Sequence, residues 1–187
     1  MSDTKKEITG TLVRPNKIPV GSEIHNRITE TLYEEALMLD NMLVLEWSYF
    51  VTKDISYTVP LRATRLLEES DKSIVRSMMH MDEDYNSLMM RVGRLTRTKS
   101  AFAEDPPSRT RRLITNILVD STNKPDEFAV TSYGILTRNR YEEHNTQVVS
   151  FVRHDILREI DGELKLAKRE IIVDFAVLGT QNLAIFL

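Results

Sequence analysis

The chain has no cysteine, and this one absence removes disulfides, iron–sulfur clusters held by its own thiolates, thiolate zinc sites and cysteine nucleophiles together. It also fits a reducing cytoplasm. Glycine is scarce, six in 187 residues. There is no glycine-rich phosphate loop and no Gly-x-Ser-x-Gly elbow, so nucleotide binding and serine hydrolysis lack their sequence signatures. No run approaches the roughly 20 apolar residues of a membrane span. The opening Met1-Ser2-Asp3-Thr4-Lys5-Lys6-Glu7 has no apolar core to act as a signal peptide. A cytoplasmic protein without membrane attachment is the expectation. The net charge is only -3, which gives no global pull toward nucleic acid.

Candidate metal and catalytic sites are equally sparse. The four histidines, His25, His80, His144 and His154, fall in four different predicted elements, and none stands four residues from another. His80 with Asp82 and Asp84 can be drawn as a metal site, but a solvated helix start accounts for the same residues better. His154 and Asp155 sit in a predicted strand, where neighbours point to opposite faces, so they cannot form a dyad with each other. Arg91, Arg94, Arg97, Lys99, Arg109, Arg111 and Arg112 form the one local charge excess. With Glu104 and Asp105 nearby and no interleaved exposed aromatics, a protein partner or a solvated surface explains it better than nucleic acid.

Residues 1–20, polar with Pro15 and Pro19, are predicted to be an N-terminal arm, and 21–187 a single domain, because this length suits one buried core. Ser22 followed by Glu23 signals a helix start. Ile24, Ile28, Leu32, Ala36, Leu39 and Leu43 recur at helical spacing, which predicts a long amphipathic helix to about Asp40 and a short one from Met42 to Phe50. His25 and Glu35 fall inside that apolar stripe, either as pocket residues or as buried polar groups with local hydrogen-bond partners. Ile55, Tyr57, Val59 and Leu61 alternate with polar residues as a half-buried strand, and Pro60 points to an edge or a strand end. Residues 62–81 show no clear period. Five of the eight methionines lie between Met78 and Met90, a flexible filler suited to irregular gaps or a partner surface. A helix through Tyr85, Leu88, Met89, Val92 and Leu95 follows, opened by Asp82-Glu83-Asp84 and closed by Arg94 and Arg97. Two prolines then stiffen residues 104–112 into a charged connector.

From residue 113 onward the pattern is β. Four runs, 113–119, 127–140, 147–160 and 163–177, are joined by short connections and predict an antiparallel meander, in which Gly134 marks a bend or bulge. Asp161-Gly162 between two period-2 segments is a strong hairpin signal, because both turn residues must tolerate positive φ. The sequence then closes on Asn182-Leu183-Ala184-Ile185-Phe186-Leu187, where a polar, frayed segment is the usual finding. Something must cover it. Helices first and an antiparallel sheet after predict an α+β domain, a curved, mainly antiparallel sheet covered by N-terminal helices. Such a cone-like form is shared by ketosteroid isomerase, nuclear transport factor 2-like and cystatin-like proteins, and it can hold an apolar pocket at its mouth. Fold alone leaves two readings open: a stand-alone dehydratase or isomerase using His25, Tyr57 or Asp54 as acid and base, or a binding and assembly module.

Specific residues narrow the choice. They run from Glu34, Glu35, Leu39 and Asp40 through Glu46-Trp47 and Asp54-Ile55-Ser56-Tyr57-Thr58-Val59-Pro60 to Asp84-Tyr85 and Arg91-Val92-Gly93-Arg94-Leu95. Glu104-Asp105-Pro106-Pro107-Ser108-Arg109-Thr110-Arg111 follows, then Asp161-Gly162, Arg169-Glu170-Ile171, Leu178-Gly179-Thr180-Gln181-Asn182-Leu183 and Phe186-Leu187. Along nearly its whole length the sequence resembles the small (beta) subunits of aromatic ring-hydroxylating dioxygenases, the Rieske non-haem iron oxygenases. The resemblance implies a non-catalytic structural subunit in a hexamer of three large (alpha) and three small subunits, the small subunits forming a trimer. The Rieske [2Fe-2S] cluster and the mononuclear iron would lie in the large subunit, and a reductase and a ferredoxin would deliver electrons from NADH. The whole would convert an arene to a cis-dihydrodiol with O2. No catalytic, cofactor or metal residue is expected in this chain, in keeping with its lack of cysteine. Pro106, Pro107, Arg109, Arg111, Arg112, Leu183, Phe186 and Leu187 are the candidate subunit-interface residues, with burial of the tail on its own sheet as the alternative for the last three.

Overall fold

A computed structural model describes residues 14–97, 104, 106–140, 146–176 and 185–187. Helix α1 spans Glu23–Asp40. It starts where expected: Ser22 is extended, and its side chain accepts from the His25 N–H at 3.4 Å. Its buried face carries Ile28, Leu32, Ala36 and Leu39, with His25 and Glu35 among them, and packs across the sheet at strand β4 (Arg109–Ser121). A left-handed Met42 (φ 60°) breaks the helix. Helix α2 (Val44–Trp47) and a 3-10 turn (Ser48–Phe50) then lead into strand β2 (Val51–Arg62).

Helix α3 spans Tyr85–Arg97, with Leu88, Arg91 and Val92 buried. Asp84 caps it by accepting from the Ser87 N–H at 2.8 Å. The β-strands are β1 (Lys17–Ile18), β2, β3 (Ile74–Glu83), β4 (Arg109–Ser121), β5 (Glu127–Asn139), β6 (Gln147–Ile160) and β7 (Glu163–Val173). They form one sheet in the order β1-β4-β5-β6-β7-β2-β3. The meander β4 to β7 is antiparallel as predicted, and its last hairpin turns on Asp161 (φ 52°) and Gly162 (φ 82°). The α+β class and the helix-covered sheet are those read from the sequence.

Several expectations are corrected. Residues 14–18 are not free of the domain: β1 pairs with β4, and Arg14 binds Asp120 at 2.5 Å. Residues 1–13 lie outside the described residues. The stretch without a clear period contains β3, an edge strand paired with β2. Strand β2 is internal, and Pro60 is accommodated at register shifts on either side of it, because a bulge releases the ladder position that proline cannot fill. Strand β2 also runs parallel to β7, a long-range pairing with no short-range signal. The register of β4 with β5 and of β5 with β6 runs unbroken through Gly134. A Cβ there would stand 2.2 Å from the Phe151 ring, so the glycine makes room for that ring.

Two bulges decide which side chains point inward. In β4, Asn116 and Ile117 share the space opposite Ser132, between the pairs Thr115↔Tyr133 and Leu118↔Thr131, and Asn116 takes a φ of 52°. In β7, Leu166 pairs with Leu157 and Lys168 with Ile156, leaving Ala167 as the extra residue. Before it the inward residues are Leu164 and Leu166; after it they are Arg169, Ile171 and Val173.

Candidate functional site

The space between α1 and the sheet is where a cone of this kind would hold a pocket. Here charged side chains fill it. Along β6 the inward residues are Val149, Phe151, Arg153, Asp155 and Leu157. Arg169 on β7 stands directly opposite Asp155 and beside Tyr57 of β2. Arg169 grips Asp155 with both arms of its fork, Nε to Oδ1 at 2.9 Å and Nη2 to Oδ2 at 2.7 Å. It also reaches Glu35 at 2.5 and 2.9 Å. Glu35 takes a further bond from Arg153 Nη1 at 3.1 Å and one from the Trp47 indole N–H at 3.0 Å. Glu35, Arg153 and Arg169 are fully buried. Burial alone would push the Glu35 carboxyl up, but Arg169 and Arg153 outweigh it and hold the group down to about 2. Burial and the neighbouring Arg169 pull Arg153 down to about 10. Two carboxylates and two guanidiniums make a neutral set, the condition under which charge survives in an interior.

The second filler is the tail. Ile185, Phe186 and Leu187 are 8, 2 and 2% exposed. The Phe186 ring lies 4.4 Å from the Trp47 ring and 6.3 Å, edge-on, from Tyr57, with the Arg91 guanidinium 4.2 Å from its centroid. Tyr57 exchanges bonds with Leu187, accepting from its N–H at 3.0 Å and donating to its carbonyl at 3.1 Å. Burial raises the Tyr57 hydroxyl above its ordinary value. The space left between Phe186, Leu39, Val44, Leu95 and Arg112 is about 20 Å³, room for a water and not for a substrate.

The interface candidates are thus divided by the structure. Pro106, Pro107, Arg109 and Arg111 are exposed on the connector and the start of β4. Arg112, Phe186 and Leu187 are corrected to interior positions. The Arg112 side chain, 2% exposed, pairs with Asp40 and donates to the Phe186 carbonyl at 2.6 Å, and the two tail residues are covered by this chain's own side chains. Leu183 lies outside the described residues. The basic set does not form one patch either, because Arg91 bonds Glu83 in the interior as Arg112 bonds Asp40. Lys99 lies outside the described residues.

The three acid-base candidates are engaged apart. His25 sits between the Gly21 N–H and the Ile117 carbonyl at the β4 bulge, Tyr57 holds Leu187, and Asp54 is exposed and bonded to Arg158. His154 is exposed and Asp155 buried, on opposite faces as predicted. Among the described residues no group of histidines and carboxylates suits a metal ion, and no helix is long and apolar enough to cross a membrane. Sequence reasoning missed Arg153, Asp155 and Arg169 as a unit. The available signal was charge of both signs at core parity in two adjacent strands.

The family model described as "Ring hydroxylating beta subunit" matches residues 34–180. The chain belongs to that family. It is a small (beta) subunit of an aromatic ring-hydroxylating dioxygenase, which implies a large partner subunit. It is 35% identical over 182 residues to the biphenyl 2,3-dioxygenase subunit beta of Rhodococcus jostii, covering 94% of this chain and 95% of that one. With the benzene 1,2-dioxygenase subunit beta of Pseudomonas putida it shares 32% over 172 residues, 90% and 91% of the two chains. Among solved structures, naphthalene 1,2-dioxygenase with indole bound in its active site superposes with a TM-score of 0.75 at 26% identity, over 85% of this chain and 83% of that one. A putative scytalone dehydratase from Novosphingobium aromaticivorans shares the fold at 13% identity and a TM-score of 0.57, over 87% and 94%.

Proposed function

We propose that this beta subunit is a non-catalytic structural subunit, and that the oxygenase it belongs to converts an arene to a cis-dihydrodiol with O2 and NADH. The filled interior carries this reading. Where the fold offers room for a substrate, between α1 and the sheet, this chain places four paired charges and the Phe186 ring. The chemistry then falls to the large subunit, which would hold a Rieske [2Fe-2S] cluster and a mononuclear iron fed by a ferredoxin and a reductase. The assembly is a hexamer of three large and three small subunits in the cytoplasm, with the small subunits in a trimer. The exposed Pro106, Pro107, Arg109 and Arg111 remain the proposed contact residues.

Co-expression with the large subunit tests the reading. The two chains should co-elute at the mass of a hexamer, with iron and acid-labile sulfide in proportion to the large chain. The small chain alone should turn over no arene. A small chain that never associates with the large one, or that catalyses unaided, would overturn it.

A further inference from the structure

The tail is held in an unusual way. Among the described residues, Ile185, Phe186 and Leu187 make no backbone–backbone hydrogen bond. Their main-chain groups are instead met by side chains from β2, α3, β4 and β7. Arg91 donates to the Ile185 carbonyl at 2.8 Å, Arg112 to that of Phe186 at 2.6 Å, and Tyr57 and Arg169 to that of Leu187 at 3.1 and 3.4 Å. Strands and helices satisfy their main chain internally; a bound peptide is satisfied by its receptor.

The side chain at the centre is gripped like a ligand as well. One face of the Phe186 ring meets the Trp47 indole, its neighbour Tyr57 presents an edge, and Arg91 supplies a cation over the ring. Arg91 and Trp47 each also have a partner outside the tail. Arg91 is also bonded to Glu83 at 3.0 Å, and Trp47 to Glu35. The cradle is therefore built by the body of the chain, and Phe186 occupies it. We propose that it is a binding site for a small, neutral aromatic ring, with Phe186 as its intramolecular ligand. A cationic ring is excluded, because Arg91 would face it with like charge in a dry interior.

The chain's single tryptophan lies in the cradle and reports on it. In full-length Phe186→Ala the ring's place should be vacated, leaving a cavity bounded by Trp47, Tyr57 and Arg91 that can take up a benzene-sized guest. Toluene should raise the thermal midpoint of this variant and shift its Trp47 emission, both saturably. Benzylammonium, of similar size but charged, should do neither, and the unmodified chain should respond to neither compound. A folded Phe186→Ala that ignores toluene, or responds equally to benzylammonium, overturns the proposal. Should Phe186→Ala be recovered unfolded, refolding with and without toluene decides. Recovery only with toluene supports the site; failure in both, with Phe186→Leu folding normally, shows that Phe186 is ordinary core and overturns it.

Discussion

Two arginines on strand β6 stand five residues apart on opposite faces of the sheet. Arg153 points inward, fully buried, to Glu35; Arg158 points outward, with 22% of its side chain exposed, and pairs with Asp54 at 2.9 Å and Glu127 at 2.7 Å. The distances are alike, yet the energetics differ in kind. Outside, Asp54 is 60% exposed, so water screens its pair with Arg158 and would solvate either charge left alone, and that pair contributes little. Inside, an unpartnered charge has nowhere to turn, so each member of the Glu35, Arg153, Asp155 and Arg169 set is required by the others. Hydrogen-bond geometry alone therefore says little about what an ion pair contributes.

The contrast can be broken most sharply at Glu35. Glu35→Ala leaves Arg153 and part of Arg169 uncompensated in the core, and urea denaturation should show a loss of about 3–5 kcal/mol. Acid probes the same group without mutation. Its pKa of about 2 in the fold lies below the ordinary carboxylate value near 4.3. The stabilisation is therefore complete above the unfolded value and is lost as pH falls through about 4 toward 2. It amounts to about 3 kcal/mol, and denaturation midpoints across that window should fall in the parent and stay flatter in Glu35→Gln. Next in size is Gly134→Ala, which tests packing without charge. Its methyl group would meet the Phe151 ring beneath Arg153, and thermal unfolding should register a loss of about 1–3 kcal/mol. The smallest effect belongs to the outer face, where Asp54→Asn should cost under about 1 kcal/mol, with a salt dependence that Glu35 variants lack.

Much of the sheet was legible because its signals are local. The period-2 runs and Asp161-Gly162 located β4 to β7, and Ser22 located the start of α1. Strand β3 was hidden because it is an edge strand with Arg76, Ser77, Met78 and Met79 in sequence and all exposed, so no alternation marks it. The parallel partnership of β2 with β7 joins segments more than a hundred residues apart, and no turn chemistry announces it. The interior network was half legible. His25 and Glu35 were visible in the apolar stripe of α1, but the partners of Glu35 come from β6 and β7, not from its own neighbourhood.

Ala167 shows how narrow that outcome is. Side chains along a strand alternate like a two-letter reading frame, and the extra residue at 167 shifts the frame by one letter midway through β7. Upstream, the even-numbered residues are translated into core; downstream, the odd-numbered ones are. Without the shift, Lys168 and Glu170 would be sent inward while Arg169 faced water, leaving Asp155 and Glu35 without the fork they share. A single small residue thus sets the phase in which the charges of this strand are read into the interior.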